Sequence, residues 1–173
     1  FVCGGSKWYR VGYWTCRSTS VSQPQATFRG SFEHTLDAKG RVSVPAQFRA
    51  QLRAEGVVVT NYICDGARCL DALPVSAWNE LEQKLRERSR FDPKVRKLEN
   101  FYLARAAECN LDESGRINLP SHLIAYAGLE REVVFTSSVR GFRLWDKRVW
   151  ELIFSEAEQA LLEDPSIFSD VDV

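Results

Sequence analysis

Two runs of this sequence set a carboxylate and a guanidinium four residues apart around a glycine: Asp37-Ala38-Lys39-Gly40-Arg41 and Asp112-Glu113-Ser114-Gly115-Arg116. An arginine fork donates two parallel hydrogen bonds, which suits it to the O6 and N7 edge of guanine in the major groove of double-stranded DNA. An acid on the other side of a tight turn either orients that fork or closes the turn by accepting backbone amides. Closure is favoured, because a carboxylate turned towards phosphate is repelled. Asp37, Gly40, Asp112 and Gly115 are therefore assigned to shaping the loops, and Arg41 and Arg116 to reading DNA. Lys39 and Arg29 are candidates for phosphate contacts, which position a protein without reading sequence, and Arg49 is a weaker one. The second loop carries Glu113 and Ser114 where the first has Ala38 and Lys39, so the first is expected to dominate. The opposing reading is a surface ion pair worth about 0 to 1 kcal/mol. Local sequence does not choose between the two.

Other chemistry is thinly represented. Five cysteines (Cys3, Cys16, Cys64, Cys69, Cys109) are scattered without a C-x-x-C pair, which indicates reduced thiols and neither a zinc ribbon nor a disulfide framework. There is no glycine-rich phosphate loop and no nucleophile elbow. We assign no catalytic residue, metal or cofactor. A hydrolase using Asp37 or Asp112 would need a pocket with a perturbed acid.

The chain of 173 residues has a formal net charge of zero, from 23 Lys and Arg against 23 Asp and Glu. A DNA surface must then be local rather than global. The charges are unevenly placed. Residues 84–97 hold Lys84, Arg86, Arg88, Arg90, Lys94, Arg96 and Lys97 against Glu87 and Asp92, whereas from Glu151 onward there are seven acids and no Lys or Arg. Basic middle and acidic tail are suited to attract each other, within or between subunits. No apolar run approaches the ~20 residues of a membrane span, and a cytoplasmic, nucleoid-associated protein without membrane partners is expected.

The two loops belong to a tandem repeat at an offset of 75 residues: Leu36-Asp37-x-x-Gly40-Arg41-x-x-x-Pro45 aligns with Leu111-Asp112-x-x-Gly115-Arg116-x-x-x-Pro120. The same offset matches Asp71 with Asp146 and His34 with Cys109. Residues 32–36 and 41–44 read as strands joined by a turn, and Pro45 opens a helix to about Leu52. Residues 57–64 and 69–73 form a hairpin around Asp65-Gly66-Ala67, followed by a helix over 74–88. Residues 92–102 form a connecting helix capped by Asp92. The second copy repeats the order, with strands at about 104–111 and 116–119, a helix from Ser121, a hairpin over 132–145 and a helix from Asp146. Trp78, Trp145 and Trp150 read as core or interface anchors. His34 reads as a packed sheet residue and His122 as an exposed residue of a first helical turn. Neither half has enough sheet to cover itself, so the copies should pack with an intertwined core.

These residues, with Phe28-Arg29-Gly30, Ala127-Gly128-Leu129 and Leu144-Trp145-Asp146, resemble the MraZ family of bacterial transcriptional regulators over residues 28–155. The resemblance implies an α+β fold of two AbrB/SpoVT-like swapped-hairpin modules with a pseudo-two-fold, β-barrel-like core and flanking helices. It also implies a homo-oligomeric ring that binds promoter direct repeats upstream of the division and cell-wall gene cluster, usually repressing that cluster and its own gene. The expected organisation is an extension over 1–27 foreign to the fold, modules over 28–90 and 104–154, a connecting helix over 91–103 and an acidic tail over 155–173. The alternative function is an oligomeric protein-interaction module whose loops are structural.

Overall fold

A computed structural model describes residues 28–52, 55–89 and 91–170. The extension expected over 1–27 lies outside them. The first half runs β1 (Ser31–Thr35), β2 (Arg41–Ser43), α1 (Ala46–Leu52), β3 (Val57–Cys64), β4 (Ala67–Pro74) and α2 (Val75–Arg86). The connector is α3 (Pro93–Leu98) continuing into a π-helical turn (Glu99–Leu103). The second half runs β5 (Ala107–Cys109), β6 (Arg116–Asn118), α4 (Ser121–Ala127), β7 (Glu132–Ser137), β8 (Phe142–Asp146), α5 (Lys147–Glu163) and α6 (Ser166–Asp170).

Local chemistry explains most boundaries. Asp65 and Gly66 take φ of 50° and 79°, the positive pair that a two-residue hairpin turn needs, so β4 starts at Ala67 rather than Cys69. Pro45 and Pro120 stand one place before their helices, their carbonyls accepting from Phe48 and Arg49 and from Leu123 and Ile124. Asp92 caps α3 by accepting from the Lys94 amide at 2.8 Å, with Pro93 in the first turn. The strand expected over 104–111 is shorter, because the π-helical turn runs to Leu103 and residues 104 and 105 form a turn.

The intertwining is more complete than a pair of touching halves. β1 and β2 are not a hairpin: apart from one bridge, Leu36 to Val42, each pairs with the other half, β1 with β7 and β2 with β6. β5 in turn pairs with β3, and β4 with β8 across the centre. The result is an antiparallel sheet of order β1-β7-β8-β4-β3-β5 and a separate two-stranded ribbon, β2-β6.

The 75-residue offset holds for the loops, the ribbon and α1 with α4, but it drifts in the hairpins. The core-facing Val57 and Val59 of β3 correspond to Val133 and Phe135 of β7, one place further on, and Leu70 of β4 to Leu144 of β8, one place fewer. The match of Asp71 with Asp146 is thereby a coincidence of sequence. Asp146 is a helix cap, accepting from the Arg148 amide at 3.1 Å. Asp71 is a buried strand residue that accepts from the Tyr102 hydroxyl at 2.5 Å, and burial pushes its pKa up. His34 and Cys109 do hold equivalent places, opposite Val133 and Val57, but on the two terminal strands of the sheet. His34 packs edge-on against Phe135, while the Cys109 thiol donates to the Asn118 carbonyl.

Both faces of the sheet are covered. On one face Val57, Val59, Leu70, Ala72, Val133, Phe135, Phe142 and Leu144 pack under the ribbon and helices α1 and α4, which contribute Val42, Phe48, Leu52, Ile117 and Leu123. On the other, Val58 and Leu73 lie under Trp78 of α2 and Tyr102 of the π-helical turn. Trp145 is buried, with Trp150 against it at 5.7 Å. The ribbon is therefore backed by core along its whole length, which makes it a rigid platform for whatever its outer face carries.

Candidate nucleic-acid interface

Each loop is closed by the same set of bonds. Gly40 donates to the Asp37 carbonyl at 3.0 Å and Asp37 to the Arg41 carbonyl at 2.9 Å; the second loop repeats this, with Gly115 and Asp112 as donors, both at 2.8 Å. Gly40 has φ of 77°, and a Cβ on it would meet the Leu119 carbonyl at 2.9 Å, so glycine is required there for conformation and for space. The carboxylate of Asp37 fulfils both roles weighed for it. Its Oδ1 accepts from the Lys39 and Arg41 amides at 2.9 Å each, and its Oδ2 accepts from Arg41 Nε at 2.7 Å and Nη2 at 2.6 Å. Asp112 does the same with Ser114, Arg116, and the Arg116 Nε and Nη2 at 2.8 Å each. One edge of each guanidinium is thus anchored, and Nη1 with the remaining proton of Nη2 forms a donor edge that no described residue occupies.

The loops are locked to each other as well. Val44 donates to the Gly115 carbonyl at 3.0 Å and Leu119 to the Gly40 carbonyl at 2.8 Å. Between them the ribbon sets Arg41 opposite Asn118, Val42 opposite Ile117 and Ser43 opposite Arg116. Val42 and Ile117 are fully buried, so strand alternation puts Arg41, Ser43, Arg116 and Asn118 together on the outer face. From strand spacings, the two arginines are about 8 Å apart between Cα atoms. A concavity of about 340 Å³ lies among Lys39, Arg41, Arg116 and Asn118. Asn118 and Ser43 were not picked out from sequence. Their signal was present in the alternation Arg-Val-Ser and Arg-Ile-Asn.

The remaining candidates separate. Lys39 is exposed on the first loop. Arg49 belongs to the second loop rather than the first: its side chain lies so close over Gly115 that a Cβ there would meet its Cδ at 2.5 Å. Its repeat counterpart, Ile124, stands over Gly40 in the same way. Each loop thus has a second cation near it, Lys39 on one and Arg49 across the other. Arg29 does not join the group. It precedes Gly30, whose carbonyl accepts from Ser137, at the end of β1 remote from the Asp37 loop, and β1 alone spans about 17 Å.

Electrostatics fit a binding surface better than a reacting one. The bonds from Arg41 hold the Asp37 carboxyl down at about 2, and those from the Arg116 amide and side chain lower Asp112 as well. A hydrolytic acid needs the opposite shift. Because both carboxylates are depressed, the loop order they supply is present above their unfolded pKa of about 4 and is lost as pH falls through their lowered folded values, which for Asp37 is about 2. His34 behaves differently. Burial, and then the Arg49 charge, lower its pKa, so acidification through about 6.5 protonates the unfolded chain first and reduces stability. Urea midpoints are expected to fall between pH 7 and 5, and His34→Gln to remove part of that slope. An unchanged slope would refute this assignment.

With this geometry in view, the comparisons with known proteins are specific. The family described as “MraZ protein, putative antitoxin-like” matches the chain twice, over residues 27–101 and 102–166. The chain belongs to the MraZ family. Three proteins named transcriptional regulator MraZ illustrate the similarity. That of Leuconostoc citreum is 37% identical over 132 residues, 76% of this chain and 90% of its own. That of Nitrosomonas eutropha is 39% identical over 128 residues, 72% and 84% of the two chains. That of Natranaerobius thermophilus is 35% identical over 146 residues, 84% and 99%. Both family matches include one Asp-x-x-Gly-Arg loop, so each MraZ repeat contributes one half of the ribbon.

Proposed function

We propose that this MraZ chain is a transcriptional regulator that lays the β2-β6 ribbon in the major groove of double-stranded DNA. The observation that carries the reading is the outer face of that ribbon, where two arginines, each anchored along one edge by an aspartate, stand side by side on a buried platform. A two-stranded ribbon fits a groove about 12 Å wide. Arg41 and Arg116 read guanine, Asn118 reads a neighbouring base, for which its amide suits adenine N6 and N7, and Lys39 and Arg49 bind phosphate. The names of the relatives support regulation as the purpose. The family resemblance supports direct repeats upstream of the division and cell-wall genes as the target, repression of that cluster and of its own gene as the outcome, and a homo-oligomeric ring in the bacterial cytoplasm as the working form. Several ribbons on one assembly would add affinity when repeat spacing matches ribbon spacing.

The test is enrichment of duplexes from a randomised pool by the full chain. Guanines at fixed positions two to three base pairs apart, the separation of the arginines at about 3.4 Å per step, are the expected product. Asn118→Ala is expected to keep those guanines and lose preference at one adjacent position, with discrimination there falling about 5- to 150-fold. Enrichment of no sequence would return the loops to structural turns of an interaction module.

A further inference from the structure

The face of the sheet turned away from the ribbon carries two opposite charges that stand together and do not meet. Asp71 on β4 lies directly across from Arg143 on β8, a register in which Cβ atoms are about 5 Å apart and opposite charges ordinarily pair. No salt bridge among the described residues joins them. The Asp71 carboxylate accepts instead from the Tyr102 hydroxyl of the π-helical turn, at 2.5 Å. Arg143 reaches β3, where its guanidinium lies over the Tyr62 ring, 4.8 Å from the centroid, and its Nη1 donates to the Cys64 thiol at 3.3 Å.

Both groups are left short of a partner. Arg143 Nε is buried with no hydrogen-bond acceptor, and a thiol is only a weak one, whereas a buried cation needs an anion or well-placed oxygens. For Asp71, burial outweighs the Tyr102 bond and the more distant Arg143 and Arg140 charges and pushes the pKa up. Its carboxylate therefore lacks positive charge close by.

A cavity of about 300 Å³ opens beside the pair, walled by Tyr62, Leu73, Leu81, Leu98, Tyr102 and Val139, with Asp71 and Arg143 in its lining. Arg140 also borders it, but the Ala77 carbonyl and Glu80 already hold its Nη2 at 3.3 and 2.9 Å. Water fills such a space poorly, because each molecule needs two to four polar partners and most of the wall is leucine and ring. The volume is at the lower end of small-molecule sites, and apolar walls with a few convergent polar groups are their usual chemistry.

We propose that this cavity binds a free α-amino acid with an apolar side chain, its carboxylate on Arg143, its ammonium on Asp71 and its side chain among Leu73, Leu81 and Leu98. One zwitterion supplies both partners, which neither a simple acid nor a simple amine does. Bound there, it bridges the sheet, α2, α3 and the π-helical turn, and so fixes the connector between the two repeats. The ribbon packs on the other face of the sheet, and the inference does not require it to bind DNA.

The test is a ligand-observed NMR titration of the full chain with L-leucine, L-isoleucine and L-phenylalanine. The best of the three should bind with a Kd below about 1 mM. Its matching carboxylic acid and its matching amine, each lacking one charge, should bind at least tenfold more weakly. Asp71→Asn keeps an acceptor for Tyr102, and it should weaken the amino acid at least tenfold while leaving the acid unaffected. Arg143→Met should weaken the amino acid as much and leave the amine unaffected. Leu81→Trp adds bulk at a half-buried helix position without touching either charge, and it should abolish binding. Urea midpoints identify variants that fail to fold, and the comparison of the three ligand types needs no variant. No binding of any of the three amino acids, an acid or amine that binds as tightly as the amino acid, or Leu81→Trp binding like wild type would overturn the inference.

Discussion

Arg41→Ala is expected to weaken binding of a specific duplex by about 5- to 150-fold, the range for losing one bidentate contact to guanine, while the fold stays intact. The side chain is about one-third exposed, and its ion pair with Asp37 is of the surface kind, worth about 0 to 1 kcal/mol. Asp37 keeps its bonds from the Lys39 and Arg41 amides when the guanidinium is gone. Arg116→Ala is expected to cost the same order of affinity, because Arg49 gives the second loop a cation of its own. Sequence alone led to the opposite expectation, a dominant first loop. Anisotropy titrations of both variants at one salt concentration separate these outcomes. Equal losses support the loop pair as one device, and a negligible loss for Arg116→Ala restores the unequal view.

Phe48→Ala should have the largest effect on stability, about 3 to 5 kcal/mol. Its ring is fully buried and packs against Phe28 at 5.4 Å, Phe32 at 5.3 Å and Phe142 at 5.2 Å. Those partners come from the segment before β1, from β1 and from β8, so one cavity opens at the seam between the two halves. Because β1, β2, β5 and β6 all pair across that seam, the halves cannot unfold separately. Urea unfolding should remain one transition with an unchanged slope and a lowered midpoint. Two transitions, or a loss under 1 kcal/mol, would contradict the swapped arrangement.

The parts of this fold that were legible in sequence are those set by local chemistry. Gly40 and Gly115 marked turns because few other residues adopt their φ, Pro45 and Pro120 marked helix starts, and Asp92 marked a cap. The duplication was visible because loop residues are fixed by both conformation and contacts, so Leu, Asp, Gly, Arg and Pro coincide. Strand partners were not legible from alternation, which tells which face of β1 is buried but not that β7 rather than β2 lies beside it. The crossing was expected only from the need of each half for cover and from the family resemblance. The position of Arg49 depends on that swap, since only a crossed chain carries α1 to the loop of the other half. Asp71 misled for a related reason: strands tolerate a one-residue drift that the loops do not, so an identity at the right offset was no equivalence. Asn118 and Ser43 were within reach, because the alternation that buries Val42 and Ile117 exposes their neighbours. Arg29 was a candidate for phosphate contact beside Lys39, but β1 separates it from the Asp37 loop.

The central claim, that the paired loops read guanine in the major groove, is tested most directly by changing the base rather than the protein. A duplex enriched by the wild-type chain is resynthesised with 7-deazaguanine at each selected guanine, which removes the N7 acceptor and leaves base pairing intact. Wild type should bind it at least fivefold more weakly than the natural duplex, while the double variant Arg41→Ala/Arg116→Ala should bind the two alike. Equal binding of both duplexes by wild type would contradict the account.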